Sequence, residues 1–154
     1  MSELPRGLLL FDTSAYIGQI RYGRYPWLAS DRSIFERTVM TAVVAAELGA
    51  GCRSREDRAA LASLCRAHAA LGRLSFPSLE NWTMAGDLLQ RYARGFGTLR
   101  FADHFRDVLI ALEALRHNAT LVTENVADFR RWQKLLRSSG QSLRILDLRS
   151  LHAS

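Results

Sequence analysis

The sequence has few cysteines and no long apolar run. Cys52 and Cys65 are the only cysteines in 154 residues, and they form no C-x-x-C pair, so the pattern indicates no disulfide scaffold. No apolar run approaches the roughly 18–20 residues of a membrane span. Residues 1–7 place an acid before a very short apolar run, which is not the layout of a signal peptide. Together these absences predict a cytoplasmic protein.

Several common enzyme signatures are also absent from the sequence. It contains no P-loop, no G-x-G-x-x-G motif and no Ser-His-Asp pattern, so nucleotide-binding loops and serine hydrolase chemistry have no support. Repeats, low-complexity segments and linkers are absent too. We therefore predict one domain over residues 1–154.

Positive charge is abundant and comes almost entirely from arginine. Lys134 is the only lysine among 21 basic residues, which leaves 20 arginines (21 minus 1). Residues 1–90 carry 10 basic and 9 acidic residues, a balance of +1, and residues 91–154 carry 11 and 6, a balance of +5. Arginine suits bidentate contacts with phosphate, so the charge fits a polyanionic substrate. A merely soluble, arginine-rich surface explains it equally well.

Short apolar runs alternate with helical patterns along the chain. Strands are predicted at residues 8–11, 38–41, 74–76, 119–123 and 143–146. Helices are predicted at residues 42–48, 55–71, 82–96, 103–117 and 126–136, with shorter ones after residues 12 and 30. This alternation predicts an α/β fold with a parallel sheet covered by helices on both faces.

Three acidic residues lie at or beside apolar runs. Asp12 ends the first strand, whereas Glu47 and Asp107 lie on predicted helices that can project side chains to the same sheet edge. Thr123 and Asn125 follow at the end of the fourth strand. A buried carboxylate without a partner is costly. Three carboxylates brought together would make an oxygen site for a hard cation such as Mg2+.

These segments resemble a known family. Residues 11–14, 46–48 and 107–111, followed by residues 119–129, are similar to PIN-domain proteins and in particular to VapC-type toxins of bacterial toxin–antitoxin pairs. The resemblance implies a three-layer α/β/α fold with a central parallel sheet of about five strands. It also implies a metal-dependent ribonuclease in which Asp12, Glu47 and Asp107 hold Mg2+ or Mn2+ and a metal-activated water hydrolyses RNA.

The fourth acidic position of the family is altered in this chain. Asn125 stands where many members have Asp, so it is a candidate catalytic residue that brings no charge. Asp128, three residues on, is the other candidate for this position, and the sequence leaves one or two metals open. Glu124 is expected to point away from Thr123 on an extended strand and is left out. Thr13, Thr123 and Asp103 are candidate supporting residues, although the two threonines can serve as caps and Asp103 as a helix-start acid.

Partners and alternatives follow from the same resemblance. Four arginines that flank the predicted site in sequence are candidate RNA contacts: Arg100, Arg106, Arg130 and Arg131. A cognate antitoxin and a homodimer are expected. The alternatives are a non-catalytic PIN-like module that binds RNA or antitoxin, and a structure-specific DNA nuclease that uses the same acids.

Overall fold

A sheet of five parallel strands forms the centre of a computed structural model that describes residues 3–97 and 100–152. The strands are β1 (Leu9–Phe11), β2 (Thr38–Thr41), β3 (Leu74–Ser75), β4 (Thr120–Thr123) and β5 (Ile145–Asp147). The helices are α1 (Thr13–Tyr22), α2 (Trp27–Ser30), α3 (Arg32–Glu36), α4 (Ala42–Ala50), α5 (Arg55–Ala70), α6 (Leu79–Phe96), α7 (Phe101–Arg116) and α8 (Val126–Ser138). A 3-10 helix, Leu148–His152, follows β5.

The strand order, β3-β2-β1-β4-β5, creates a reversal beside β1. The chain first builds the sheet outward through β2 and β3, and then crosses back to add β4 on the other side of β1. Phe11 pairs with Val122, so the carboxyl ends of β1 and β4 lie side by side. Ligand sites of open parallel sheets form where the order reverses in this way. The fold therefore places Asp12, which follows β1, next to the end of β4.

The central strands are apolar because both of their faces are covered. Every residue of β1, β2 and β4 is buried, as expected for parallel strands packed between helices. The predicted α/β fold with a parallel sheet is confirmed. The main differences are at element ends: β5 begins at Ile145 rather than Leu143, and α6 begins at Leu79, where Ser78 caps it by accepting from the Asn81 N–H. Such capping shifts a helix start by a turn without changing the apolar pattern.

Helix α7 is the most deeply buried helix in the described part of the chain. Residues 108–114 are all buried, including Glu113, which is fully enclosed. The Glu113 carboxylate accepts a hydrogen bond from Ser75 Oγ at 2.6 Å and pairs with Arg116 Nε at 3.2 Å. This charge is therefore partnered, as a buried carboxylate must be, and the pairing joins α7 to the edge strand β3.

No helix within residues 3–97 and 100–152 combines the length and apolar character needed to span a bilayer.

One glycine of α1 has a specific packing role. Gly18 lies against Tyr25, a residue that is 1% exposed and has a positive φ of 58°. A Cβ at Gly18 would stand 2.9 Å from Tyr25 Cε2 and 3.3 Å from Glu124 Oε1. The absence of a side chain thus lets the Tyr25 ring pack directly on the helix backbone.

We expect Gly18→Ala to destabilise the fold, although alanine is the better helix former. The Tyr25 ring would have to move from a buried position, and such overpacking costs about 1–3 kcal/mol. Gly86→Ala is the matched control, because Gly86 lies within α6 and an added Cβ meets nothing within 4 Å. That variant should gain up to about 1 kcal/mol. Urea unfolding of both variants measures the difference, and a Gly18→Ala chain as stable as Gly86→Ala would contradict this packing.

Candidate active site

A cavity of about 320 Å³ lies at the carboxyl ends of β1 and β4. The three predicted metal ligands, Asp12, Glu47 and Asp107, all line it, together with Thr13 and Asn125. The loop after β1 supplies Asp12, and helices α4 and α7 supply Glu47 and Asp107. Segments far apart in sequence are therefore brought to one place, at the sheet edge where the strand order predicts a ligand site.

The Asp12 carboxylate is fixed by hydroxyl groups. It is 4% exposed, and it accepts hydrogen bonds from Ser14 Oγ at 2.6 Å and from Thr123 Oγ1 at 2.9 Å. Asp12 occupies the N-cap position of α1, yet its side chain makes no capping hydrogen bond. Burial raises the pKa of Asp12 to about 6; the two hydroxyls oppose this rise and the charge of Glu47 adds to it.

The Asp107 carboxylate also has a raised pKa. Its pKa is raised to about 6, chiefly by burial and in part by the charges of Asp12, Asp128 and Glu47, while Arg106 acts in the opposite direction. Within the described residues, no salt bridge involves any of the three cavity carboxylates. The charges of Asp12, Glu47 and Asp107 therefore have no ion-pair partner in that part of the chain, which is the condition that a bound cation relieves.

The donor set of the cavity suits a hard divalent cation. All its candidate ligands present oxygen, the donor that Mg2+ and Mn2+ prefer. Thr13 Oγ1 is buried there without a hydrogen-bond partner. In the arrangement seen, no three acidic, histidine or cysteine side chains within residues 3–97 and 100–152 stand close enough to hold one metal ion. The residues therefore fit a cation by chemistry, and binding by all three carboxylates requires side-chain rotation.

Thr123 and Asn125 continue the site from β4. Thr123 is fully buried; its hydroxyl donates to Asp12 and accepts from the Asn125 N–H at 2.8 Å. Asn125 lines the cavity, and its side chain makes no capping hydrogen bond at the start of α8. Thr123 is thus a positioning residue for Asp12, and Asn125 leaves its amide available to the cavity.

Two of the predicted supporting acids do not line the cavity. The Asp128 side chain is 52% exposed and pairs with Arg131 at 3.3 Å. The Asp103 side chain is 54% exposed and pairs with Arg100 at 3.6 Å near the start of α7. In this arrangement each carboxylate is paired with a neighbouring arginine and open to solvent, although the charge of Asp128 is close enough to raise the pKa of Asp107. Asn125, rather than Asp128, occupies the position next to the cavity.

The predicted RNA contacts lie outside the cavity as well. None of the four is among its lining residues: Arg100, Arg106, Arg130 and Arg131. Two of them are held by the ion pairs with Asp103 and Asp128. These arginines are therefore close to the site residues in sequence without lining the cavity itself.

Glu124 was left out of the predicted site because its side chain was expected to point away from Thr123, and this expectation was wrong. Glu124 lines the cavity beside Asn125, accepts a hydrogen bond from the Tyr25 hydroxyl and pairs with Arg24 Nη1 at 3.4 Å. Strand β4 ends at Thr123, so the alternation of side chains does not extend to Glu124 in the following bend. Nothing in the sequence pattern signals Arg24 or Tyr25, since both follow the end of α1.

A second cavity, of about 370 Å³, lies elsewhere between α6 and α7, beside Asn81, Leu112 and Arg116. It is slightly larger, but its lining includes one carboxylate, Glu80. It therefore lacks the group of carboxylates that gives the first cavity its negative charge.

Comparisons with known proteins identify solved structures that share this fold. Neither protein-family models nor curated protein sequences give a match. Among solved structures, a chain of DNA-bound VapBC from Salmonella typhimurium has a TM-score of 0.63 at 18% identity, with 93% of this chain and 99% of that chain covered. VapBC-1 from nontypeable Haemophilus influenzae gives 0.63 at 21% identity, covering 92% and 98%. FitAcB from Neisseria gonorrhoeae gives 0.62 at 18% identity, covering 90% and 96%.

These similarities cover nearly the full length of both chains in each case. The chain therefore has the three-layer α/β/α PIN-like fold that the sequence motifs predicted.

The burial of Asp107 among other carboxylates predicts how stability depends on pH. The pKa of Asp107 rises from 3.8 to about 6 on folding, so between these values the folded chain retains a proton that the unfolded chain has lost. The free energy of unfolding therefore falls as the pH rises through this range. Without divalent cations, Asp107→Asn should stabilise the chain by about 1–2 kcal/mol at pH 8, and this gain should disappear near pH 4.

Urea unfolding in EDTA at the two pH values tests this. Asp103→Asn is the control, because Asp103 lies one turn earlier on α7 with an exposed side chain, and it should change stability little at either pH. Equal effects of the two substitutions at pH 8 would contradict the predicted cost of the Asp107 charge in the folded chain.

Proposed function

We propose that the chain is a metal-dependent endoribonuclease of the VapC type, with Asp12, Glu47 and Asp107 as ligands of Mg2+ or Mn2+. The observation that carries the proposal is the grouping of these carboxylates, without a basic partner on any of them, in one cavity at the strand-order reversal. The pKa of two of them is raised to about 6. The shared fold with VapBC chains supports the same assignment.

A bound divalent cation would activate water for attack on the phosphodiester and neutralise charge on the scissile phosphate. The residues of this chain supply position and charge. Ser14 and Thr123 hold Asp12 at the end of β1, so its carboxylate is oriented before substrate arrives. Glu47 and Asp107 approach from two helices. Because Asn125 is neutral, the ligand set carries three negative charges, which favours one divalent cation over two.

Cleavage of RNA should require Mg2+ or Mn2+ and the Asp107 carboxylate. We expect Asp107→Asn to lower the rate at least about 100-fold, because one ligand and its charge are lost. Asp103→Asn should retain most activity. Ca2+ should suppress cleavage, because its larger radius and looser geometry misplace the attacking water. A labelled-RNA cleavage assay with each metal measures these effects, and full activity in excess EDTA would overturn the metal mechanism.

Thermal unfolding provides a test that does not depend on activity. A cation that binds only the folded chain stabilises it by mass action. Added Mn2+ should therefore raise the melting temperature of the wild-type chain, and less so that of Asp107→Asn.

A non-catalytic binding module is the second candidate. It is favoured by the neutral Asn125 and by the absence, within the described residues, of a group of three ligands already close enough for one metal. The cleavage assay distinguishes the two functions, because this module would bind RNA or a protein partner without turnover. Cleavage of DNA in preference to RNA would point instead to a DNA nuclease with the same acids.

A protein partner and a second copy of the chain belong to the same proposal. The structural neighbours are VapBC and FitAcB assemblies, and a free ribonuclease in the cytoplasm would be harmful to its host. We infer a cognate antitoxin that covers the cavity and places an arginine among Asp12, Glu47 and Asp107, where a bidentate pairing replaces the metal. The chain is proposed to act as a cytoplasmic homodimer.

Expression in a bacterial host tests the partner. The wild-type chain alone should arrest growth, whereas co-expression of the neighbouring gene should restore it. Asp107→Asn alone should permit growth, which separates catalysis from the burden of expression. Equal growth with all three, with the proteins soluble and intact, would contradict the toxin assignment.

A further inference from the structure

The end of α1 forms one side of the cavity, and this side differs chemically from the acidic floor, which consists of Asp12, Glu47 and Asp107. Tyr22 and Arg24 both line the cavity there, on either side of Gly23. The Arg24 guanidinium lies 5.0 Å from the centre of the Tyr22 ring. Tyr22 is 65% exposed, and the Arg24 side chain is 47% exposed. We call these two residues the α1 wall.

Arg24 is held in place by contacts with Glu124 and Gly18. Its guanidinium pairs with Glu124 Oε1 at 3.4 Å, and the same carboxylate accepts a hydrogen bond from the Tyr25 hydroxyl. The Arg24 N–H also donates to the Gly18 carbonyl at 3.1 Å. Tyr25 is buried with a positive φ, a conformation that persists only where its surroundings enforce it. The chain thus maintains a strained turn that presents Arg24 to the cavity.

The geometry leaves Arg24 able to bind an anion. A guanidinium carries five N–H donors, and one contact with Glu124 leaves most of them unused. Arg24 is the one basic residue among the lining residues of this cavity within the described chain. It is therefore the basic side chain that a phosphate bound in this cavity would meet.

We propose that the α1 wall is the binding subsite for the nucleotide next to the cleaved bond of single-stranded RNA. Arg24 binds the neighbouring phosphate, and Tyr22 stacks on the adjoining base. The 65% exposure of Tyr22 leaves a ring face for that base beyond the one near the guanidinium. Glu124 is a positioning residue for Arg24 and is not a metal ligand. This inference rests on the proposed nuclease function.

Binding measured as a function of salt tests the subsite. The probe is a fluorescent single-stranded oligoribonucleotide of mixed sequence, with the Asp107→Asn chain in magnesium buffer to prevent turnover. Losing one phosphate contact on a single strand lowers the slope of log K against log salt by about 0.7. Arg24→Gln should therefore lower the slope by that amount and raise Kd about tenfold. Arg24→Lys should keep the slope, because it keeps the charge.

Arg32→Gln is the matched control for charge. Arg32 is also ion-paired, to Glu36 at 2.6 Å. It lies on α3, which leads into the amino end of β2, whereas the cavity lies at the carboxyl ends of the strands. This variant should change neither slope nor Kd. The double variant Arg24→Gln, Glu124→Gln should keep the lowered slope, which excludes an effect of the uncovered Glu124 charge.

Tyr22→Ala should raise Kd at least about fivefold without changing the salt slope. Tyr22→Phe should bind as the parent does, since stacking does not need the hydroxyl. On an oligonucleotide of abasic sites, Tyr22→Ala should have no effect.

Three outcomes would overturn the subsite. These are an unchanged slope in Arg24→Gln, an equal loss in Arg32→Gln, and a Tyr22→Ala loss that persists on the abasic strand. If the wild-type chain nevertheless cleaves RNA, the proposed function stands and the subsite alone fails. If the wild-type chain neither binds nor cleaves RNA, both fail.

Discussion

The contact between Asp12 and Thr123 is the interaction on which the site depends. It joins the ends of β1 and β4, the two strands that meet where the strand order reverses. A carboxylate as buried as Asp12 needs donors, and the Thr123 and Ser14 hydroxyls supply them without neutralising its charge. The charge that remains on Asp12 is the basis on which we propose cation binding in the cavity.

The cavity combines two opposite electrostatic arrangements within a short distance. Its floor concentrates carboxylates that repel one another, whereas its α1 wall holds an arginine already paired with Glu124. The first arrangement costs stability, and the second is satisfied in the free protein. A polyanion with a bound cation complements both, because the cation matches the floor and the phosphate matches the wall. Under the proposed function, this division gives Glu124 and Asp12 different roles in one cavity.

Most of the fold could be predicted because short segments rich in apolar and β-branched residues, such as residues 8–11 and 119–123, alternate with helical patterns. The site could be predicted for a related reason. A carboxylate such as Asp12 at the end of a buried strand needs a specific partner, so it stands out in the sequence. Prediction failed where the backbone leaves regular structure. Glu124 lies past the end of β4, and Arg24 lies in a turn. For Asp128, the sequence could not show that the side chain faces solvent and Arg131.

The long separation of Asp12 and Thr123 has a consequence for synthesis of the chain. The two residues are 111 positions apart, and Asp107 itself comes late in the sequence. A ribosome must therefore complete most of the polypeptide before β4 can dock beside β1 and the cavity can close around its ligands. Prematurely terminated products lack the site altogether. A chain able to cut RNA would in this way remain harmless to the machinery that translates it until translation is nearly finished.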